Sequence, residues 1–300
     1  MTLSRKDFLS LSDVSREEIL MILKTAESMK FVMKQKNKKA PHLQGKTVIL
    51  LFYEQSIRAS LSYQMAAAYL SAHVADMSFD AERVGDLSEM GQIIDQMGGD
   101  FIIIRHTMSG SAKWLAQQVK ARVINAGDGF NENPSQSLLD LMTIKTLKGG
   151  FEGLKITFVG DVLHSRVTRS NIWALMKLGA DLTLAGPPTL VPDEWSSYGI
   201  KILYDAAEAV SGADVIMALR MRGEHEYGSL LSSYNEYKSF FEVDENILRY
   251  AKKDAIVIHP GPINRGIEVS AHVAESNQCI VDDLIANGVA VRMALFYLLT

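Results

Sequence analysis

Short apolar runs, separated by stretches with helical spacing, recur along most of the chain. The runs occupy residues 48–52, 74–77, 101–104 and 123–125 in the first half, and 155–159, 182–185, 215–219 and 255–258 in the second. Stretches with helical spacing lie between them, at residues 61–70, 87–97, 111–119, 166–178, 205–211 and 244–252. Strands that alternate with helices of this length are typical of parallel sheets. The pattern predicts an α/β protein with two domains, each a parallel sheet flanked by helices.

The ends and the middle of the chain carry further signals. Ser15, with Glu18 three residues later, matches the capping box of a long amphipathic helix. Residues 281–299 predict a helix that closes the chain, and Gly149-Gly150 is a turn signal between the two sets of strands. We therefore predict a first domain over residues 1–150, onto which a C-terminal helix at about 286–300 packs back, and a second domain over 151–285.

Composition and charge narrow the class of protein. The chain has 300 residues, 47% of them hydrophobic, which suits two domains with real cores. Its net charge of −4 predicts no basic surface for nucleic acid. No apolar run approaches the roughly 20 residues that span a bilayer, and the N-terminus lacks a signal-peptide core. We expect a soluble, cytoplasmic protein that binds neither nucleic acid nor membranes, and its single Cys279 excludes a cysteine-based zinc cluster.

Polar residues follow the predicted strands, at the edge where ligands bind in parallel α/β sheets. The segments are residues 56–58, 105–106, 125–136, 160–166, 220–222 and 259–265, and five of the six contain an Arg. Several guanidinium groups at such an edge favour a ligand with several negative charges. The segment 160–166 has no G-x-G-x-x-G pattern, so a nicotinamide enzyme is disfavoured. The chain also has no G-x-x-x-x-G-K-[ST] loop for a nucleoside triphosphate.

Each of these residues also has an ordinary structural interpretation. An Arg after a strand is often a surface residue or part of an ion pair. His106 and His259 are equally compatible with structural histidines, and the Gly and Pro residues around them with turns. The repetition at the same end of successive strands is what favours a ligand site.

The ordered segments resemble the aspartate carbamoyltransferase family over nearly the whole chain. They read "RH", "NAGDGFNENPSQSLLDLMTI", "FVGDVLHSRVTRSN", "LAGPPTLVP", "HPGPINRGIE" and "NGVAVRMAL". The related ornithine enzymes typically have His-Cys-Leu-Pro where this chain has His259-Pro-Gly-Pro262, which favours the aspartate branch.

The resemblance implies a reaction and an assembly. The aspartate amine attacks the carbamoyl carbon of carbamoyl phosphate and phosphate leaves, without a metal or an organic cofactor. One domain binds carbamoyl phosphate, the other binds aspartate, and the site lies in the cleft. The family forms a homotrimer in which a loop of the neighbouring chain, residues 78–91 here, completes each site. The implied partners are small anions: a phosphate-like group and a dicarboxylate amino acid.

The resemblance also assigns roles to residues. Arg166 and Arg220 match positions that bind the two carboxylates of aspartate, and Arg105 matches the residue that polarises the carbamoyl oxygen and touches phosphate. Gln136 matches a partner of the carbamoyl amide. The implied catalytic residues are Arg58, Arg105 and Gln136, and the implied substrate-binding set adds Ser56, Asn133, Arg166, Arg220, Arg222, Pro260, Gly261 and Pro262.

The chain departs from the family where carbamoyl phosphate is expected to bind. The family reads Ser-Thr-Arg-Thr-Arg where this chain has Ser56-Ile-Arg-Ala-Ser60, so two hydroxyls are absent. A family His is replaced by Asn133, and a family Lys on the neighbouring-chain loop by Val84, beside which Arg83 offers a partial substitute. A family Gln is replaced by Arg222.

These departures predict a weakened anion site. Removal of one well-placed charge-stabilising donor typically costs about 10²–10³-fold in rate, although several losses need not be additive. Backbone N–H groups at the helix start near Arg58 remain whatever the side chains are. Three hypotheses stay open: a slow carbamoyltransferase; an enzyme repurposed for another dicarboxylate or activated partner, which Arg222 favours because a cation disfavours an ammonium group; and a catalytically silent homologue that binds a ligand or a partner protein.

Overall fold

The computed structural model describes residues 2–78, 86–280 and 282–300. The chain divides into two units, one of residues Met1–Met142 with Leu284–Thr300 and one of residues Thr143–Asp283. Each unit contains a parallel sheet flanked by helices, so the predicted α/β class is confirmed. The division falls within a helix that ends just before Gly149.

The strands follow the predicted apolar runs. They are β1 (Thr47–Phe52), β2 (His73–Ser78), β3 (Phe101–His106), β4 (Arg122–Asp128), β5 (Lys155–Val159), β6 (Asp181–Ala185), β7 (Lys201–Leu203), β8 (Val215–Ala218), β9 (Ile256–Ile258) and β10 (Cys279–Ile280). The sequence pattern did not predict β7 and β10. With three and two residues, they are too short to show a periodic pattern.

The helices agree less closely with the predicted stretches. They are α1 (Arg16–Lys34), α2 (Ile57–Tyr69), α3 (Leu87–Gln96), α4 (Ser111–Gln118), α5 (Pro134–Lys148), α6 (Arg166–Lys177), α7 (Ala206–Ala209), α8 (Tyr234–Phe241), α9 (Glu245–Leu248), α10 (Ala271–Glu275) and α11 (Asp282–Leu298). The predicted capping box of α1 is confirmed. The start of α2 was predicted four residues too late, because Ser56 caps the helix, and α5, α8 and α10 were not predicted.

The first unit has its strands in the order β2-β1-β3-β4, with every neighbouring pair parallel. Val48 of β1 lies opposite both Val74 and Phe101, so β1 is an inner strand. Its sequence, TVILLF, is therefore continuously apolar rather than alternating. The chain passes from β1 to β2 on one side and then to β3 on the other, which makes the β1–β3 edge a topological switch point.

The second unit has the strand order β10-β9-β8-β5-β6-β7, again with parallel neighbours. The chain runs from β5 through β6 to β7 on one side, and then returns to β8 on the other. The carboxyl ends of β5 and β8 therefore form a second switch point. Ligands of open α/β sheets bind at such points, so each unit offers one candidate site.

The C-terminal helix belongs to the first unit, as predicted. Phe296 of α11 is fully buried and packs edge-on against Phe101 of β3, with ring centroids 5.3 Å apart. The same ring lies 6.2 Å from Tyr63 of α2. The C-terminal helix thus packs against β3, which ends at the first switch point, and against α2, which starts there.

We predict that Phe296→Ala lowers the free energy of unfolding by about 3–5 kcal/mol, because a buried ring leaves a cavity that its neighbours cannot fill. Phe31→Ala is the matched control: this ring is 67% exposed, so its loss should change stability by less than about 0.5 kcal/mol. Urea unfolding of both variants checks the prediction. Equal effects would contradict the proposed packing of α11.

Candidate functional site

The first candidate site begins at the exit of β1, where Ser56 caps α2. Its hydroxyl oxygen accepts a hydrogen bond from the Ala59 N–H at 3.4 Å. The N–H groups of Ile57 and Arg58 stand in the first turn, where a helix provides no acceptor of its own, at the positive end of the helix dipole. Arg58 is exposed. The backbone part of an anion site is therefore present.

The side chains of this turn contribute less to an anion site. Ile57 is 84% exposed and offers no hydroxyl. Ser60 donates from its hydroxyl to Asp76 of β2 at 2.9 Å, and Gln64 donates to both Ser60 and Asp76. The Ser60 side chain is therefore engaged with β2.

Arg105, at the exit of β3, is held by groups of the same unit. It forms an ion pair with Glu54, which follows β1, and its Nη1 donates to the Ala126 carbonyl at 3.2 Å. The Arg105 side chain is only 12% exposed. An anion that binds Arg105 has to compete with the Glu54 carboxylate.

Asn133 and Gln136 lie at the start of α5. Asn133 is buried, and its Oδ1 accepts from the Gln136 N–H at 3.3 Å and the Ser135 hydroxyl at 3.4 Å. This is the geometry of a helix cap. The Gln136 amide donates to Asp140 one turn later at 3.4 Å.

His106 faces a different environment from Arg105. Its ring lies 4.6 Å from that of Tyr53, and its Nδ1 accepts from the Met108 N–H at 2.9 Å. Both rings line a cavity of about 670 Å³ beside α4, together with Trp114. Burial lowers the pKa of His106 against the nearby charges of Asp128 and Glu54, and burial with the charge of Asp86 raises the pKa of Tyr53 to about 12.

The second candidate site lies at the exits of β5 and β8. Arg166 is the first residue of α6, which Ser165 caps by accepting from the Thr168 N–H at 3.2 Å. Arg220 and Arg222 follow β8. The structure therefore brings all three guanidinium-bearing residues to the switch point of the second unit.

Asp161 joins the segments that carry these arginines. This buried carboxylate accepts from the backbone N–H and Nδ1 of His164, both at 3.0 Å, and from the Tyr227 hydroxyl at 3.0 Å. The Tyr227 oxygen in turn accepts from the Arg222 N–H at 2.8 Å. Burial, followed by the charge of Asp161, raises the pKa of Tyr227, which keeps its proton for this hydrogen bond.

Glu268 joins the exit of β8 to that of β9 in the same way. Its buried carboxylate accepts from the Met221 N–H at 2.8 Å and from the backbone and side-chain N–H groups of Asn264 at 2.6 and 2.7 Å. Burial raises its pKa against these donors and the charge of Arg220. The charge of Arg220 also opposes the rise that burial and nearby carboxylates cause in the pKa of Tyr234.

The loop after β9 contains His259, Pro260, Gly261 and Pro262. His259 is buried, and its Nδ1 accepts from the Gly261 N–H at 2.8 Å, which places the proton of a neutral ring on Nε2. The Nε2 atom lies 3.7 Å from a Glu268 oxygen. His259 is thus a structural histidine that shapes the loop Pro260–Gly261–Pro262.

Arg222 carries a partner that offsets part of its charge. Its Nη1 lies 3.5 Å from Glu226, whose other oxygen accepts from the Gly223 N–H. Arg265, in the segment after β9, pairs with Glu275 at the surface instead. Arg83 and Val84, predicted to reach a neighbouring site, lie outside the described residues.

Sequence reasoning missed the acidic residues of both sites. Asp161 stands in the same strand-exit segment as Arg166, whereas Glu54 lies just before the segment of Arg58 and Glu268 just after that of Arg265; this nearness in sequence was the available signal. Among the described residues, no group of three or more His, Cys, Asp or Glu side chains is placed to hold a metal ion. No helix in the described part of the chain is long and apolar enough to cross a membrane.

Comparisons with known proteins agree with this division of the chain. The family model for the carbamoyl-phosphate-binding domain of aspartate/ornithine carbamoyltransferases matches residues 6–146, and the model for the aspartate/ornithine-binding domain matches residues 152–299. The chain therefore belongs to the aspartate/ornithine carbamoyltransferase family.

Individual relatives point to the aspartate branch. The aspartate carbamoyltransferase catalytic subunit of Acetivibrio thermocellus is 51% identical over 100% of this chain and 97% of its own, and that of Ruminiclostridium cellulolyticum is 50% identical over the same shares. Among solved structures, ornithine carbamoyltransferase from Pyrococcus furiosus aligns with a TM-score of 0.87 at 29% identity, over 99% of this chain and 98% of that one. The resemblance to aspartate carbamoyltransferase is confirmed.

We predict that Arg166→Ala and Arg220→Ala each weaken succinate binding by about 1.5–3 kcal/mol, the usual contribution of hydrogen bonds to a charged group. Calorimetric titration measures the effect. Arg265→Ala is the matched control, because its guanidinium is committed to Glu275, and it should leave succinate affinity unchanged. If the Arg166 and Arg220 variants bind succinate as well as the parent, the assignment is wrong.

Proposed function

We propose that this protein transfers the carbamoyl group of carbamoyl phosphate to L-aspartate, at a rate lowered by the altered anion half of its site. One observation carries the proposal. Arg166 and Arg220 follow the two strands of a switch point, and Asp161 and Glu268 hold the neighbouring segments in place. The names of the relatives that are about half identical to this chain support the same reaction.

In this proposal the two units bind different substrates. Arg166 and Arg220 take the two carboxylates of aspartate, and the loop from Pro260 to Pro262 lies against the reacting groups. The phosphate group binds at the start of α2, to Ser56 and Arg58. The neutral aspartate amine then attacks the carbamoyl carbon and the carbon–nitrogen bond forms. The bond from that carbon to the phosphate oxygen breaks, and the surplus proton on nitrogen leaves with the phosphate.

Arg105 and Gln136 act on the carbamoyl group in this proposal. The Arg105 guanidinium leaves Glu54 for the carbamoyl oxygen, where negative charge develops, and the Gln136 side chain orients the carbamoyl amide. Preorganised donors aimed at developing charge stabilise a transition state more than a ground state. Holding the amine close to the carbamoyl carbon, in the orientation needed for attack, lowers the barrier further.

The side chains expected to bind carbamoyl phosphate account for the lower rate in this proposal. Ile57 and Ala59 bring no hydroxyl to the first turn of α2, and Asn133 uses its Oδ1 to cap α5. Each missing donor removes about 10²–10³-fold in rate when it acts alone. Arg58, Arg105 and the helix N-terminus remain, so we expect binding of carbamoyl phosphate with slow turnover.

A second candidate function is transfer to a dicarboxylate that lacks an ammonium group. Arg222 motivates it, because a cation near the attacking nitrogen disfavours a second positive charge. The ion pair with Glu226 offsets that charge, which is why aspartate remains the first choice. A catalytically silent protein is the third candidate, and formation of N-carbamoyl-aspartate separates it from the first.

We further propose that the protein is a cytoplasmic homotrimer. Ile57, Leu61 and Met65 recur every four residues on one face of α2, and they are 84%, 56% and 36% exposed. Such an apolar stripe on a helix is typical of a surface that another chain covers. We predict a trimer or a multiple of it in sedimentation equilibrium at micromolar concentration. Leu61→Glu should shift the mass towards monomer, and a monomeric parent protein would contradict the proposal.

Restoration of the altered side chains tests the reaction. We predict that the combined substitutions Ile57→Thr, Ala59→Thr, Val84→Lys and Asn133→His increase the rate of N-carbamoyl-aspartate formation. Lys and His should matter most, because both act on charge that develops during the reaction. Arg222→Gln, added to the same variant in parallel, removes the cation that motivates the second candidate, transfer to a dicarboxylate without an ammonium group.

The control for this experiment replaces Val84 by Met, which has similar reach to Lys but no charge. A gain that survives in the Met version would not come from the charge introduced at position 84. If neither the restored protein nor its Arg222→Gln version gains activity, simple loss of the parent chemistry is the wrong explanation. Abolition of a different native activity on restoration would favour the second candidate.

A further inference from the structure

Arg292 of α11 is a buried cation in the first unit. The residue is 5% exposed, its Nη1 donates to the Ser62 hydroxyl of α2 at 2.5 Å, and its guanidinium lies 4.6 Å from the centre of the Tyr63 ring. Its Nε has no hydrogen-bond partner among residues 2–78, 86–280 and 282–300. Burial lowers the pKa of the guanidinium, although an arginine keeps its proton in a protein.

In the described structure, no carboxylate forms an ion pair with this guanidinium; its contacts are Ser62 and Tyr63. A buried charge without a counter-ion is costly, and cation–π contact with a tyrosine offsets only part of the cost. An apolar side chain of similar length would avoid the cost. The charge therefore calls for a role other than packing.

The surroundings place this charge behind both helices of the first candidate site. A Cβ on Gly288, one turn before Arg292, would lie 2.8 Å from its Nη1, 3.4 Å from Leu139 of α5 and 3.7 Å from the Ser62 hydroxyl. The absence of a side chain at Gly288 makes room for the guanidinium where α11 meets α2 and α5. These two helices start at Ile57 and Pro134, beside Ser56 and Asn133.

Within one chain, few other described contacts hold the first half of α2. Of its 13 residues, Tyr63, Ala66 and Ala67 are buried, and the face with Ile57 and Leu61 is exposed. Ser60 ties the first turn to β2 through Asp76. Arg292 supplies the next polar anchor, through Ser62.

We propose that Arg292 is a positioning residue of the carbamoyl phosphate site: it fixes α2 through Ser62 and Tyr63, and it adds a buried positive charge behind the N-terminal turn that receives the phosphate group. The inference rests on the proposed function. It also gives a reason why an anion site with few remaining side-chain donors retains affinity for phosphate.

The size of the effect follows from the helix geometry. Ser62 lies five residues after Ile57, roughly 7.5 Å along the axis, so the guanidinium stands roughly 10–12 Å from an anion at the helix start. At an effective dielectric constant of about 20, a unit charge at that distance changes the affinity for a monoanion by about tenfold.

The test is calorimetric titration of the full chain with inorganic phosphate and, separately, with succinate. Arg292→Met removes the charge and should raise the Kd for phosphate about tenfold, while the Kd for succinate stays within about twofold. Arg292→Lys keeps the charge without the planar guanidinium that lies over the Tyr63 ring and should give a smaller rise. General damage to the fold would move both dissociation constants.

Lys30→Met is the matched control, because Lys30 also brings a cation to α11, where its Nζ donates to Asn287 at 2.8 Å. It should leave the Kd for phosphate unchanged. If Arg292→Met does not fold, Gly288→Ala takes its place: the added methyl displaces the guanidinium and should raise the Kd for phosphate alone.

An unchanged Kd for phosphate in the folded Arg292→Met or Gly288→Ala variant would overturn this inference alone, as would an equal rise in Lys30→Met. No binding of phosphate by the parent protein would overturn the proposed function together with it. The two failures are therefore distinguishable.

Discussion

Buried carboxylates fix the loops that follow the strands, and the geometry of both candidate sites depends on them. Asp128 accepts from the Gly110 N–H at 2.7 Å and from the Glu132 N–H at 3.1 Å in the first unit. Asp161 and Glu268 do the same between strand exits of the second unit. Because backbone N–H groups satisfy each carboxylate, the loops are ordered before any ligand arrives. The arginines beside them therefore project from backbone segments that are already held.

The two sites differ in how their side chains are used. In the second unit, Arg166 and Arg220 project from segments that the carboxylates hold. In the first unit, two residues that the sequence analysis expects to differ from the family pattern have local partners: Ser60 donates to Asp76, and Asn133 caps α5. A lost cap costs about 1 kcal/mol, so a return to the family residue at position 133 trades helix stability for charge.

Much of the fold, and less of the site, could be predicted from the sequence. Continuous apolar runs identify inner parallel strands because both faces of such strands are buried, and β1 is an example. Because the runs show where each strand ends, the arginines that follow them could be placed at the strand exits. Their partners could not, since Glu54 and Glu268 gain their roles only through contacts between segments that the sequence pattern does not pair. His106, whose role the sequence left open, is adjacent to Arg105 in sequence but lines a cavity with Tyr53.

The turnover number of the unmodified protein with carbamoyl phosphate and aspartate tests the central claim most directly. Enzymes commonly reach about 1–10³ s⁻¹, and loss of charge-stabilising donors should place this protein below about 1 s⁻¹, with measurable N-carbamoyl-aspartate. A turnover number of about 10 s⁻¹ or more would contradict the account, because the altered side chains would then contribute little to catalysis. The absence of any product at saturating substrate would contradict it as well.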